Sequence, residues 1–325
     1  MAESVLLTLL VLAGVPAVQV GYAAGIEALL DRLPQRGQGA LRPWLWLLPA
    51  LVLIGLFLVY PAVMTVILSL RDAGGQRFVG LANYAFAVTN PAMRIAFRNN
   101  IVWLLFFTGF TVALGLLLAV LTDRVRYESA AKTVLFLPMA ISFVAAAVIW
   151  KFVFEYRPSG AAQIGLLNAL VTAVDRGAQP VAWLIHRGVN TFALIAVAVW
   201  VWVGFCLVVL SAALKAIPAE LLEAARVDGA TEWHLFRRVL LPLLLPTVTV
   251  VATTMLIFAL KAFDIVYVMT SGNFGTDVIA HRMYTELFSV RHFGRAAALA
   301  VILFAATVPV MVLNIRRFRE QEALR

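Results

Sequence analysis

The feature that most limits how this chain can fold is a recurrence of apolar windows, each about 20 residues long. They run from Val5 to Leu29, Trp44 to Leu70, Ile101 to Leu121, Val134 to Phe154, Thr191 to Leu214, Leu243 to Tyr267 and Ala296 to Leu313. As helices rising 1.5 Å per residue, such windows cross a hydrocarbon core about 30 Å thick. The strict apolar/polar alternation over about 10 residues that a membrane barrel requires is missing, so helices must satisfy the backbone groups in lipid. Composition agrees, with 63% of the 325 residues hydrophobic and 13% charged, too little charge to tile a soluble surface. The expected fold is all-α and integral to a membrane, with about seven transmembrane helices.

The formal net charge of +9 does not point to nucleic acid, because the Lys and Arg residues lie in short segments between the apolar windows and form no single basic face. Their distribution is a topology signal. The first window has no basic segment before it and is followed by Arg32 and Arg36, which favours a retained helix with its N-terminus outside over a cleaved signal peptide. Alternation then places 31–42, 123–132, 215–242 and the tail 316–325 in the cytoplasm, with Arg124, Lys215, Arg237, Arg238 and Arg317 among their cations. Longer segments on the other side carry Arg71, Arg98, Arg176, Arg187, Arg282 and Arg295. Residues 156–190 are too long for a bare connector, and Ile164 to Val174 is apolar and of helical length. A short helix at the outer surface is expected there, packing on neighbouring spans or docking a partner. The chain is read as an extra N-terminal helix and linker (1–42), a first span and outer loop (43–94), a main transmembrane domain (95–315) and a basic tail (316–325).

Catalytic signatures are missing. No Gly-Lys pair occurs, so there is no phosphate-cradling loop; His186, His234, His281 and His292 lack zinc-site spacing, and no Gly-x-Ser-x-Gly elbow is present. Cys206, the single cysteine, lies in an apolar window, which rules out a disulfide framework or thiolate metal site.

One cytoplasmic segment, Ala216 to Pro242, is too polar to span and too patterned to be slack. Pro218 suits the first turn of a helix, and Gly229 can take the positive φ that ends one helix before another starts at Thr231. A helix, turn, helix outside the membrane is expected, with Leu221, Leu222, Ala225, Leu235, Phe236 and Val239 as apolar contacts. Within it, Glu223-Ala224-Ala225, three residues including Asp228, Gly229, nine residues, Val239, one residue and Leu241-Pro242 resemble the EAA motif of binding-protein-dependent ABC importer permeases, with Val239 in place of the usual Ile. The resemblance covers roughly 95–315 and implies a type I importer permease fold. It also implies that this loop is a coupling helix entering a cleft on a separate ATPase subunit, with Glu223 facing basic residues and Gly229 allowing the turn. The bland reading of the same segment is an amphipathic helix pair lying on lipid.

Leu214-Lys215-Ala216-Ile217-Pro218 before the motif and Leu260 to Thr270 after it look like the carbohydrate branch of that family. Ser271-Gly272-Asn273-Phe274-Gly275-Thr276 replaces a Gly-Gly-Pro turn found in many members and, with Arg282-Met283-Tyr284, is more like permeases for α-glucosides and glucosylglycerol. The resemblance implies a second homologous permease subunit, two ATPase subunits using ATP and Mg, and an extracytoplasmic sugar-binding protein, with no cofactor on this chain itself. By spacing from the motif, the sugar-lining positions of the maltose relative fall on Ala198, Val201, Trp202 and Phe205 before the loop and on Met255, Ala259 and Ala262 after it. The last three are not polar, so polar contacts must come from elsewhere. Ser142, just after Leu137-Pro138-Met139, is one candidate.

Lys261 and Asp264 are three apart and, on a continuous helix, share a face. They serve as a polar gate or sugar contact, or neutralise one another near the outer interface. Trp200 and Trp202, two apart, cannot share a face, so Trp200 faces lipid or packs. A membrane enzyme with an interfacial site is the alternative from another class, disfavoured by the missing catalytic groups. A secondary transporter is disfavoured because Glu27, Lys261 and Asp264 are few intramembrane charges for ion coupling.

Overall fold

The computed structural model describes residues 2–32, 35–123, 125–175 and 177–322, the side chains of 2–13, 15, 35–37, 40 and 313–322 excepted. Arg124, Arg176 and Arg325, and the side chains of Arg36, Arg316, Arg317 and Arg319, lie outside that description. The chain divides into two compact units, Met1–Thr65 and Val66–Arg325.

The first unit contains helix α1 (Ala2–Leu30) and most of α2 (Leu41–Ser69), which carries a π turn at Gly55–Val59. Arg42 pairs with Glu27 at 2.8 Å, and Tyr22 donates to the Leu45 carbonyl, tying the two helices together. The most apolar window of α2 buries none of its residues. A helix apolar on every side and uncovered needs lipid or another chain around it.

In the second unit α3 (Ala82–Thr89) leads into α4 (Pro91–Thr122). The Asn90 side chain accepts from Ala92 N, and Pro91 occupies the first turn, where its missing N–H costs nothing. Next come α5 (Glu128–Phe136), a 3₁₀ turn at Leu137–Ala140, α6 (Phe143–Val153), α7 (Leu166–Val174) and α8 (Asn190–Lys215). The short helix α9 (Ala219–Val227) precedes α10 (Glu232–Leu260), and α11 (Asp264–Thr270), α12 (Ile279–Tyr284) and α13 (Phe293–Glu322) complete the unit. Among the described residues, five helices are long and apolar enough to cross a membrane, and six if the bent α5–α6 pair counts as one span.

Helix α8 is the centre of the bundle, with 72% of its apolar window buried against 33% or less in the other long spans. It packs most extensively on α4, and glycines let it come close to both α4 and α5. A Cβ at Gly115 would lie 2.4 Å from Cys206 Cβ, and one at Gly204 would lie 2.3 Å from the Leu135 carbonyl oxygen. Close approach through small residues is how helices associate where lipid removes the hydrophobic drive.

Several expectations are corrected. The window Val134 to Phe154 is not one straight span: α5 with its 3₁₀ turn meets α6 at 101°, where Pro138 and a fresh helix cap at Ser142 interrupt the chain. The window Leu243 to Tyr267 stops at Leu260, and α11 starts separately at Asp264. The segment after the expected turn at Gly229 is not a short helix lying apart, because it runs directly into the spanning helix α10. Residues 316–322 of the expected tail are helical and continue α13. A helix is present within Ile164 to Val174, as expected: α7 is held by buried Asn168, whose amide donates to the Glu155 and Val181 carbonyls.

Candidate functional site: the coupling turn and the cavity at the α10 break

At one end of the bundle α9 stands out from the rest, with no buried residue. It begins immediately after Pro218, an N-cap with extended ψ, and ends in a left-handed turn at Gly229, φ +82°. Ala230 N donates to Ala225 O and Gly229 N to Arg226 O, both at 3.0 Å. These are the paired bonds of a Schellman stop, which needs the positive φ that glycine adopts without penalty. Thr231 then caps α10, its hydroxyl oxygen accepting from His234 N at 3.3 Å, and Arg226 reaches Glu232 across the turn at 3.4 Å. The stop of α9 and the start of α10 are thus each closed by local hydrogen bonds.

Glu223 is exposed and makes no ion pair among the described residues, and Ala224 and Asp228 beside it are also exposed. Leu221 is 47% exposed, Val227 87% and Trp233 63%. Trp233 stacks on Phe236 with ring centroids 5.9 Å apart, but this apolar surface remains largely open among the described residues. Leu235 instead points inward and is fully buried, with Phe236, Ala225 and Leu241 half-buried and Pro242 exposed. Residues Phe236–Leu240 form a π turn within α10.

A cavity of about 180 Å³ lies at the far end of α10. Its walls are aromatic: Trp103 and Phe107 from α4, Phe143 from the start of α6, Trp202 from α8 and Phe258 from α10. Trp202 and Phe258 have ring centroids 3.9 Å apart, and Trp103 and Phe107 bracket a π turn in α4. Where α10 stops, Lys261, Ala262, Phe263 and Asp264 form the rim. Phe263 has φ −142° and ψ −62°, so the helix is broken there and both charged side chains are delivered to the cavity without sharing a helix. No ion pair joins Lys261 to Asp264 among the described residues, which removes the expected mutual neutralisation. Lys261 and Phe263 also border a larger, mostly apolar cavity of about 490 Å³ against α12 and α13.

Of the residues expected along the path, Ala198, Trp202, Ala262, Lys261 and Asp264 meet at this cavity. Met255 and Ala259 are fully buried in the helix core and Val201 nearly so, so they pack and do not line it. Phe205 stands edge-on to Trp202 at 5.8 Å, outside the lining. Ser142 caps α6, its oxygen accepting from Ala145 N at 3.2 Å, and Met139 packs half-buried against the core. Trp200 packs edge-to-face on Trp150. Sequence reasoning misses the wall residues Trp103, Phe107, Phe143 and Phe258; the spacing of four between Trp103 and Phe107 is the available signal. The Trp103 indole N–H is buried without a hydrogen-bond partner among the described residues.

A family sequence model described as the binding-protein-dependent transport system inner membrane component matches residues 111–318, more than half the chain. The chain belongs to this family. It is thus a multi-pass inner membrane transport subunit and not a catalytic one. It is 56% identical over 281 residues to the osmoprotective compounds uptake permease of Synechocystis sp., covering 86% of this chain and 100% of that protein. It is 47% identical over 278 residues to the α-glucoside transport system permease of Rhizobium meliloti, covering 85% and 82%. Its structure is similar, at TM-score 0.75 and 25% identity over 88% of this chain and 99% of the other, to a chain of a bacterial ABC transporter involved in import of the acidic polysaccharide alginate.

Proposed function

We propose that this permease is the sugar-passing subunit of an ATP-driven importer, moving an α-glucoside, oligosaccharide or glucosylglycerol-like polyol from an extracytoplasmic sugar-binding protein into the cell. Its partners are a second homologous permease, two ATPase subunits that consume ATP and Mg, and that binding protein. The observation that carries this reading is α9, an uncovered helix with an exposed acid at Glu223, joined by a hydrogen-bonded Schellman turn to a helix that reaches the cavity. The 29 residues of α10 make a rod about 43 Å long. Displacement of α9 by a nucleotide-binding partner is thereby delivered to Lys261 and Asp264. The relatives' names, for osmoprotective compounds and for α-glucosides, supply the substrate class.

The cavity chemistry suits that class. A sugar offers apolar C–H faces and polar hydroxyl edges. Aromatic walls meet the first, while the Lys261 ammonium, the Asp264 carboxylate and the unpartnered Trp103 N–H meet the second. The test is uptake of labelled α-glucosides and glucosylglycerol by proteoliposomes holding the complete complex and loaded with ATP. Uptake dependent on internal ATP and on the binding protein is expected. Uptake by this chain alone, driven by an ion gradient, would overturn the reading in favour of a secondary transporter.

A further inference from the structure

The end of the bundle opposite α9 holds a second built feature. The loop between α11 and α12 carries Ser271 at φ 50° and Phe274 at φ 57°, with Gly272 and Gly275 also left-handed. A bulky residue with positive φ is strained and persists only where its surroundings over-determine it. Here they do. Buried Asn99, from α4, donates to the Gly275 and Asp277 carbonyls at 2.7 and 2.8 Å, and buried Asn190, at the start of α8, donates to the Phe274 carbonyl at 3.0 Å. Two asparagines from different helices thus hold the loop with the Phe274 ring 46% exposed.

The ring borders a cleft of about 210 Å³ that is also lined by Arg98 and Arg187. Both guanidinium groups are exposed, and neither makes an ion pair among the described residues; Arg98 donates only to the adjacent Asn99 side chain, at 3.0 and 3.3 Å. Two uncompensated cations flanking a rigid aromatic knob have the composition of an interface anchor, where aromatic and arginine side chains concentrate binding energy. Lipid headgroups would gain nothing from a loop held in strain, whereas a folded partner gains a pre-ordered contact.

Resting on the importer reading above, we propose that Phe274, Arg98 and Arg187 form a docking anchor for the binding protein, which presents carboxylates to the cleft and an apolar contact to the ring. The complementary charge steers the encounter, and the knob fixes its register.

The experiment measures ATP hydrolysis by the complete importer in nanodiscs as sugar-loaded binding protein is titrated in. Arg98→Glu with Arg187→Glu should raise the half-saturating concentration at least tenfold and weaken its salt dependence, leaving the rate at saturation unchanged. Phe274→Gly, which keeps the positive φ and removes the ring, should raise it by about tenfold. If the double charge reversal prevents assembly, Arg98→Gln with Arg187→Gln should give a smaller shift in the same direction. Half-saturation within twofold of wild type in the assembled variants overturns the proposal. So does a response that changes only when anionic lipid is withdrawn, which would assign the cleft to headgroups. A wild-type complex that the binding protein fails to stimulate would instead overturn the importer reading itself.

Discussion

Replacing Gly229 by valine tests whether the reverse turn transmits work. A Cβ at this position meets nothing within 4 Å, so the substitution causes no clash, and its cost is purely conformational. At φ +82° a β-branched residue is disfavoured by about 1–3 kcal/mol. Taking about 2 kcal/mol, the balance between the closed Schellman turn and an opened one shifts by roughly thirtyfold. An opened turn loses the Ala230–Ala225 and Gly229–Arg226 bonds and frees α9 from the direction of α10. Asparagine tolerates the left-handed region better than alanine or valine, so coupling should fall in the order Gly, Asn, Ala, Val. The assay is sugar uptake and binding-protein-stimulated ATP hydrolysis by the reconstituted complex, with membrane abundance of each variant and pull-down of the ATPase measured in parallel. Valine should lose at least tenfold in uptake per ATP while inserting normally. If valine and asparagine both match wild type, the turn is not the coupling element, whatever α9 touches.

Glu223→Lys should detach or uncouple the ATPase subunit by turning attraction into repulsion; retained pull-down and uptake would assign the contact elsewhere. Lys261→Met keeps the stem and removes the charge at the cavity rim, so uptake should weaken while ATPase assembly stays intact; unchanged uptake kinetics would exclude Lys261 as a sugar contact. Trp202→Ala opens the stack with Phe258, at 3.9 Å, and should lower thermal stability by about 3–5 kcal/mol as well as impair uptake, so Trp202→Phe, which keeps most of the volume, is the cleaner probe of selectivity. Gly204→Ile should abolish accumulation in the membrane, because the backbone of 135 and 136 lies within 2.8 Å of the new Cβ; normal abundance and melting would refute the close α5–α8 approach. Cysteines placed at 237 and 187 on a Cys206→Ala background should label from opposite sides of the membrane, and labelling of both from outside would contradict the topology.

The turn at Gly229 is legible in the amino-acid sequence because everything that makes it is local. Pro218, Gly229 and Thr231 specify a start, a left-handed stop and a new cap within fourteen residues, and capping chemistry acts over one or two turns. The membrane spans are legible for a similar reason, since hydropathy over a window is a property of neighbours in the chain. What the windows do not supply is where each helix breaks. The 101° bend after α5 and the stop at Leu260 interrupt windows whose mean hydropathy stays high, and a window average does not register a backbone turn.

The cavity depends on tertiary structure most of all. Its walls come from α4, α6, α8 and α10, and positions up to 162 residues apart, Trp103 to Ile265, meet only once those helices pack. The spacing of three between Lys261 and Asp264 implies a shared helix face, on which they would pair or together form a polar gate, an inference that holds only while the helix continues. The backbone at Phe263 leaves the helical region, so the same spacing turns two side chains that would have shared a helix face into the charged rim of a pocket. Sequence by itself determined which stretches enter the membrane and which local segment reverses outside it, because those depend on solvation and capping along the chain. The meeting of aromatic walls and charged rim was decided by helix packing, because contacts between segments distant in the chain exist only in the folded bundle.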